Sequence, residues 1–248
     1  EKLLKFAQSI GMGGLGYLEV KEELKYKGPI DKFIPDDMKM ELAEMAGLQE
    51  GDTIFFIAAP EKAACIYAGQ IRNELGSRLD LLEKDAYRFC YINDFPMYEI
   101  DEETGKLGFT HNPFSMPQGG LEALNEKDPL DILAYQYDIV CNGVELSSGA
   151  VRNHDMEIME KAFDIAGYDK ETLKDKFGAL YNAFQFGAPP HAGMAPGVDR
   201  MIMLLRNEEN IREIIAFPMS GTAQDLMCGA PNEITEQQLR EVHIKVRD

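Results

Sequence analysis

Residues 135–146 contain two carboxylates whose spacing could hold a divalent metal ion. Asn142 and Gly143 lie between two apolar runs, which predicts a two-residue type I′ hairpin. This hairpin pairs Val140 with Glu145, so Asp138 shares a sheet face with Glu145 and lies diagonally across the ladder. Two carboxylates on one face repel each other unless a cation lies between them. Oxygen ligands with phosphates completing the shell suit Mg²⁺, and a solvated outer face is the alternative interpretation.

A second candidate group follows the glycine- and proline-rich segment 185–197. Gly193 and Gly197 remove side chains where a ligand or a second backbone must come close. The apolar run 201–205 predicts a helix, which Asp199 is expected to cap. Arg200 then lies in the first helical turn, where the helix dipole disfavours a cation. This position indicates a compensating anion such as a phosphate, and a buried strand-turn-helix with a surface arginine is the alternative.

The elements that must position these groups begin with a compact α/β module over residues 1–80. It comprises a helix over 3–10 ended by Gly11, a strand over 16–20, a helix from Pro35 to Gly47, a buried strand over 53–58 and a helix over 61–75 ended by Gly76. The glycine-rich segment 11–16 follows a helix and enters a strand, the reverse of the dinucleotide-binding order, which indicates a turn.

Residues 77–87 are interpreted as a linker to a second module. There the sequence predicts a strand over 87–98 closed by Pro96, a hairpin turn over 101–106, a short strand over 107–110 and a polar, helix-prone loop over 119–129.

Composition limits the classes of protein to which the chain can belong. Its 248 residues are 45% apolar, enough for a sizeable core, yet no window is long enough to span a membrane. No signal peptide is found, and the missing initiating methionine indicates that the chain begins inside a longer gene product. A net charge of −18 favours a small-molecule enzyme over a nucleic-acid binder. The four cysteines are widely spaced, which favours reduced, buried thiols in a cytoplasmic protein.

Several segments resemble one enzyme family. Gly-Met-Ala-Pro-Gly-Val-Asp-Arg at 193–200, with the apolar run after it, resembles motif 3 of class II aminoacyl-tRNA synthetases, and residues 210–219 resemble the aspartyl, asparaginyl and lysyl branch. Residues 13–20, 27–33 and 50–56 resemble the insertion (GAD) domain of bacterial-type aspartyl-tRNA synthetases. The resemblance implies an α+β fold: a GAD-like α/β insertion domain over 1–80, and over 81–248 the C-terminal part of the antiparallel catalytic sheet with its flanking helices.

The resemblance also assigns roles to the two candidate groups. It implies that Arg200 holds the γ-phosphate of ATP, with Gly197, Val198 and Asp199 as further ATP-binding residues. Asp138 and Glu145 are the implied ligands of the Mg²⁺ that accompanies ATP. Arg200 and Glu145 are thereby the catalytic candidates on this chain.

The amino-acid substrate is assigned to two other residues by resemblance. Thr-His-Asn-Pro-Phe-Ser-Met-Pro at 110–117 resembles the family's His-His-Pro-Phe loop, which implies that His111 contacts L-aspartate, with Asn112 as a departure. Arg152 matches the arginine that holds the substrate's side-chain carboxylate. Strict alternation places Arg152 on the face opposite Glu145, unless a bulge at Ser147-Ser148-Gly149 shifts the register.

The segment expected to hold the bulge departs from the family pattern at three residues. Ser147, Ser148 and Ala150 depart from the more glycine-rich family pattern, so the bulge geometry is open. An isolated arginine is commonly a surface charge, and a lone histidine is commonly structural. His191, between a proline and an alanine, is interpreted as a structural loop residue.

The activity implied for the whole protein is aspartate–tRNA ligase, which forms aspartyl-adenylate from L-aspartate and ATP and then charges tRNA(Asp), with tRNA(Asn) left open. The resemblance further implies a cytoplasmic homodimer that does not enter membranes. Neither motif 1 nor motif 2 is found in these 248 residues, so the chain alone is expected to be inactive. The alternatives are a related class II ligase for another amino acid, and a non-catalytic tRNA- or partner-binding module on a synthetase fold.

Overall fold

The computed structural model describes residues 1–247, without the side chain of Leu24, and it contains two compact units. The first unit is Glu1–Ala86 and the second begins at Tyr87. The assignment of residues 1–80 to a GAD-like domain and of residues 81–248 to a catalytic domain stays a prediction.

The first unit is an antiparallel three-stranded sheet, in the order β2–β1–β3, accompanied by three α-helices. Its elements are α1 (Lys2–Ser9), β1 (Gly16–Val20), β2 (Tyr26–Lys27), α2 (Asp36–Ala46), β3 (Thr53–Phe56) and α3 (Glu61–Arg78), with 3-10 helices at Glu22–Leu24 and Asp31–Phe33. One apolar cluster centres on Ala7 and Ile71, where α1 meets α3. A second cluster centres on Leu18 and Val20 of β1.

Local signals in the first unit are confirmed at some positions and wrong at others. Gly47 ends α2 in the left-handed conformation, as expected for a helix C-cap. By contrast, α3 continues through Gly76, because the missing side chain there makes room for Leu82. A Cβ at this glycine would lie 3.0 Å from Leu82 Cδ2. The strand β3 is also shorter than expected and only half-buried.

The second unit contains a four-stranded antiparallel sheet in the order β4–β7–β8–β9 and a separate β5–β6 hairpin. Its elements are β4 (Phe89–Pro96), β5 (Tyr98–Ile100), β6 (Leu107–Phe109), α4 (Gly120–Glu126), β7 (Leu133–Cys141), β8 (Val144–Val151), α5 (Met156–Ile165), α6 (Lys170–Phe184), β9 (Ala192–Pro196), α7 (Val198–Leu205) and α8 (Glu236–Glu241), with 3-10 helices at Pro129–Asp131 and Ile211–Glu213. The antiparallel sheet with flanking helices confirms the α+β class.

The core of the second unit lies where α5 packs against α4, α6 and the β5–β6 hairpin. The Tyr98 hydroxyl donates to the Ala162 carbonyl at 2.9 Å, and burial raises the pKa of Tyr98. Both long helices begin at capping aspartates: Asp155 accepts from two backbone N–H groups of α5, and Asp169 accepts from Thr172 in α6.

The cysteines differ from the expectation of buried thiols. Cys141 is buried, but Cys65, Cys90 and Cys228 are exposed. Cys90 is exposed because it lies on the edge strand β4, whose side chains are nearly all in contact with solvent. None of the helices within residues 1–247 is long and apolar enough to cross a membrane.

Candidate functional site

The β7–β8 hairpin has the predicted turn and register. Asn142 and Gly143 both have positive φ, of 49° and 81°, as a type I′ turn requires. Cys141 pairs with Val144 and Val140 pairs with Glu145. Glu145 therefore lies on the same face of the sheet as Val140, and Asp138 shares that face because it is two residues away on a regular strand.

A bulge at Leu146 shifts the register immediately after Glu145. Ile139 pairs with Ser147, which leaves Leu146 as the extra residue on β8. The bulge was expected at 147–149 and lies one residue earlier in the sequence. Its position follows from Leu146, which packs in an apolar cavity with Cys141, Met201 and Leu204. Leu146 and Ser147 are consequently buried in succession, at 7% and 4% exposure, which breaks the alternation along the strand.

The bulge places three charged residues on one face of the sheet. Beyond it, Asp138 pairs with Ser148 and Gln136 pairs with Ala150. Arg152 follows two residues after Ala150 and therefore has the same facing as Asp138. The prediction that a bulge brings Arg152 onto the same face as Glu145 is confirmed. Because of the extra residue, the partner of Asp138 on β8 is Ser148, three residues after Glu145 instead of two.

Gly149 is required at its position in this sheet. A side chain there would collide with the Gly193 carbonyl and would lie 2.6 Å from Cε2 of Tyr137. The Tyr137 ring crosses this position, and its hydroxyl donates to the same Gly193 carbonyl at 2.9 Å. The tyrosine on β7 is thus linked to β9 across the glycine of β8.

Arg200 lies in the first turn of α7, as predicted, and its side chain returns to the hairpin. Its Nη1 donates to the Glu145 main-chain carbonyl at 2.7 Å and lies 3.3 Å from Glu145 Oε1. Both side chains are nearly half exposed, at 45% for the arginine and 46% for the glutamate. The two residues predicted to bind the triphosphate and its metal are therefore in contact.

The predicted cap of α7 is wrong. The helix begins at Val198 and its N-cap is Gly197, and in the described part of the chain no side chain accepts a capping hydrogen bond. Asp199 is already the second helical residue, so its carboxylate adds negative charge to the first turn instead. Gly197 itself donates its N–H to the Leu146 carbonyl at 2.7 Å, which anchors the start of α7 to the bulge.

The loop 110–117 lies over the same sheet face, held by hydrogen bonds to its main-chain carbonyls. Its Asn112 carbonyl accepts from Gln136 Nε2 at 3.3 Å, and its Phe114 carbonyl accepts from the Asn153 N–H at 2.8 Å. The Asn112 side chain accepts from the Phe114 N–H at 2.9 Å and closes a local turn, which is a structural role for this departure. His111 is exposed, and its ring meets Phe95 edge-on at 5.2 Å.

Arg152 is half-buried beside a cavity of about 460 Å³. Within residues 1–247, its guanidinium has no carboxylate within 4.0 Å and makes no side-chain hydrogen bond. The other residues that line the cavity are Phe114, Asn153, Leu180, Phe184, His191, Ala192 and Gly193. An unpaired, partly desolvated cation in a cavity favours binding of an anionic group.

Two neighbours of Arg152 have distinct environments. Asn153, which the sequence analysis missed, is fully buried, and its Nδ2 has no hydrogen-bond partner among the residues that the structure describes. Its only sequence signal is its place beside Arg152. His191 is exposed, its Nδ1 lies 2.8 Å from the Pro189 carbonyl, and its ring meets Phe184 edge-on.

The donor set of Asp138 and Glu145 fits Mg²⁺ that arrives with phosphates. Mg²⁺ is commonly bound by one or two carboxylates, with waters and substrate phosphates completing its shell. No group of three or more His, Cys, Asp or Glu side chains within residues 1–247 could hold a metal ion by itself. The pair on the sheet therefore suits a metal ion with a phosphate ligand better than a metal ion held by protein alone.

Comparison with known proteins gives the family. A family model for class II tRNA synthetases (D, K and N) matches residues 8–221. The chain is 56% identical over its whole length to the aspartate–tRNA ligase of Streptomyces coelicolor, of which it covers 42%. It is 55% identical, over 97% of its length, to the aspartate–tRNA(Asp/Asn) ligase of Zymomonas mobilis, of which it covers 40%.

Among solved structures, an aspartyl tRNA synthetase from Entamoeba histolytica aligns with a TM-score of 0.42 and 25% identity, over 75% of this chain and 31% of that one. The chain spans about two fifths of the length of the two curated relatives. Because the family model covers most of the sequence, the chain belongs to the class II tRNA synthetases of the D, K and N group.

Proposed function

We propose that this chain forms part of an aspartate–tRNA ligase and contributes the side chains that bind the substrate carboxylate and the ATP phosphates. The observation that carries the proposal is the single sheet face on which Asp138, Glu145 and the unpaired Arg152 lie, with Arg200 in contact with Glu145. The names of the relatives, which are 51–56% identical, support aspartate as the amino acid.

Arg152 binds the side-chain carboxylate of L-aspartate in this proposal. A guanidinium fork matches a carboxylate with two parallel hydrogen bonds, and the partly buried position strengthens them. The absence of a carboxylate within 4.0 Å in residues 1–247 leaves the fork available. His111 is the second aspartate contact, from the loop that covers Gln136.

Arg200 binds the γ-phosphate, and Gly197, Val198 and Asp199 complete the nucleotide contacts at the start of α7. Asp138 and Glu145 would hold Mg²⁺, which supplies charge neutralisation of the triphosphate when it is bound. The α-carboxylate of aspartate then attacks the α-phosphate of ATP to give aspartyl-adenylate and pyrophosphate. The protein contributes orientation and charge stabilisation and forms no covalent intermediate with the substrate.

The whole protein would next transfer the aspartyl group to the 3′ end of tRNA(Asp). Some relatives are named for tRNA(Asp) and others for both tRNA(Asp) and tRNA(Asn), so the proposal extends to both. A cytoplasmic homodimer is the proposed form of the full-length enzyme. The 248-residue chain alone is expected to form no adenylate, because the arginine of motif 2 is not found in it.

The test is aspartate-dependent exchange between ATP and pyrophosphate. A chimera carries this chain in place of the matching 42% of the Streptomyces coelicolor enzyme, with that unmodified enzyme as the control. We expect exchange by the chimera with aspartate, none with asparagine or lysine, and none by the 248-residue chain alone.

Three results would contradict parts of the proposal. Exchange with asparagine or lysine in place of aspartate would favour the related-ligase alternative. Exchange by the chain alone would show that another arginine here replaces motif 2. A folded chimera without exchange, together with salt-dependent binding of tRNA by the isolated chain, would favour the non-catalytic binding module.

A further inference from the structure

Glu145 contacts Arg200 through both its main chain and its side chain. The main-chain carbonyl and Oε1 of Glu145 share one guanidinium nitrogen, Nη1, at 2.7 and 3.3 Å. The bulge makes this contact possible, because it turns two successive carbonyls toward α7. The Leu146 carbonyl accepts from Gly197 N–H, and the Glu145 carbonyl accepts from Arg200.

We propose that the Glu145–Arg200 ion pair couples the binding of Mg²⁺ to the binding of the triphosphate, while the main-chain carbonyl of Glu145 holds Arg200 at the site. This inference rests on the proposed function, which gives a metal to Glu145 and a phosphate to Arg200. Each ligand competes with the ion pair: the metal for the carboxylate, and the phosphate for the guanidinium.

The coupling follows from thermodynamic linkage. A metal ion that binds alone must break the ion pair, and a triphosphate that binds alone must break the same pair. When both bind, the ion pair is lost once for two ligands, so each ligand strengthens the binding of the other. The main-chain bond from Arg200 keeps the guanidinium near the site during this exchange, because it does not involve the carboxylate.

The size of the effect is limited by exposure. Both side chains are nearly half exposed, and ion pairs in such surroundings contribute about 0.2–1 kcal/mol. Removing the pair should therefore strengthen the binding of either ligand alone by about 1.4- to fivefold.

The experiment measures two probes separately by titration calorimetry with the 248-residue chain. Tripolyphosphate, with chelator present, is tested on wild type, Glu145→Gln and the matched Asp138→Asn, which removes a charge from the same sheet face without breaking the ion pair. Mg²⁺ alone is tested on wild type, Arg200→Gln and the matched Arg152→Gln.

The proposal expects Glu145→Gln to strengthen tripolyphosphate binding about 1.4- to fivefold more than Asp138→Asn does. It likewise expects Arg200→Gln to strengthen Mg²⁺ binding more than Arg152→Gln does. Equal effects within each pair would show that net charge alone acts, and would overturn the coupling while leaving the proposed function intact. Failure of every protein to bind tripolyphosphate, with chelator or with Mg²⁺ present, would contradict the nucleotide and metal sites, and the coupling with them.

Discussion

In the second unit, the sheet face with the candidate site and the aromatic cluster around Phe163 are organised in opposite ways. Phe163 is 1% exposed, and four rings surround it at centroid distances of 4.9 to 6.0 Å. On the sheet face, Glu145 and Arg200 are nearly half exposed, and Arg152 has no charged partner within residues 1–247. The cluster holds its residues by packing, whereas the site leaves its charged groups open to ligands.

One residue links the two regions. Phe114 packs against Phe163 at 5.5 Å, and its main chain bonds to Asn153 beside Arg152. The aromatic cluster therefore fixes the loop that carries His111, while the site residues add little to stability. Substitutions should consequently affect the free energy of unfolding most in the cluster and least at the site.

Phe163→Ala should give the largest loss, about 3–5 kcal/mol in the free energy of unfolding, because it leaves a cavity among four rings. Urea unfolding measures it, with Phe186→Ala, at 92% exposure, as the control that should change by about 0.5 kcal/mol or less. A loss below about 1 kcal/mol for Phe163→Ala would remove the contrast between the two regions.

Gly149→Ala should cost about 1–3 kcal/mol, because the added methyl meets the Gly193 carbonyl and the Tyr137 ring. Gly193→Ala on the neighbouring strand is the matched control, since a Cβ there meets nothing within 4 Å. Similar unfolding midpoints in urea for the two variants would show that the sheet relaxes around Gly149. A larger loss for Gly149→Ala than for Gly193→Ala would show that the sheet beneath the site is tightly packed, even though its charged residues are exposed. The contrast with the aromatic cluster would then apply to the charged side chains and not to the sheet itself.

Glu160→Gln should lower stability by roughly 1 kcal/mol near pH 7, because it weakens contacts to Lys170 and Tyr181 at the edge of the cluster. Burial raises the pKa of Glu160, but the hydrogen bonds from Lys170 and Tyr181 outweigh burial and hold that pKa below its ordinary value. This stabilisation is complete above the unfolded-state pKa and is lost as the pH falls through the lower folded-state pKa.

Urea unfolding of wild type and Glu160→Gln should therefore differ near neutral pH and converge as the pH falls through the lowered folded-state pKa of Glu160. A difference that grows as the pH falls would reverse the assigned sign.

Arg152→Gln should change stability least, by about 0.5 kcal/mol or less, because its guanidinium has no protein partner in the described residues. In the chimera it should reduce aspartate-dependent exchange at least about 30-fold, since losing one member of a buried charge pair costs about 2 kcal/mol or more. Arg206→Gln, at an exposed arginine, should leave exchange unchanged. Unchanged exchange with Arg152→Gln would show that Arg152 does not bind the substrate.

Some features could be predicted because the relevant energies are local. Asn142 and Gly143 tolerate positive φ, which selects the type I′ turn and sets the pairing of Val140 with Glu145. Gly47 ends α2 for the same conformational reason. The family membership likewise follows from short motifs, whereas the roles assigned to individual site residues stay predictions.

Other features could not be predicted because distant residues decide them. Whether Gly76 ends or continues α3 depends on Leu82, and the exposure of Cys90 depends on its place at a sheet edge. The start of α7 at Val198 depends on a hydrogen bond from Gly197 to Leu146, more than fifty residues away in sequence. Local preference for Asp199 as a cap is weaker than this tertiary anchor.

The sequence by itself therefore determined which charged groups are available and that Asp138 and Glu145 share a hairpin, because turn conformation and strand alternation act over a few residues. Only the tertiary structure decided where the bulge lies, which face Arg152 takes and what Arg200 contacts. Those outcomes depend on the burial of Leu146 against Cys141 and α7, and such packing involves residues from three separate segments of the chain.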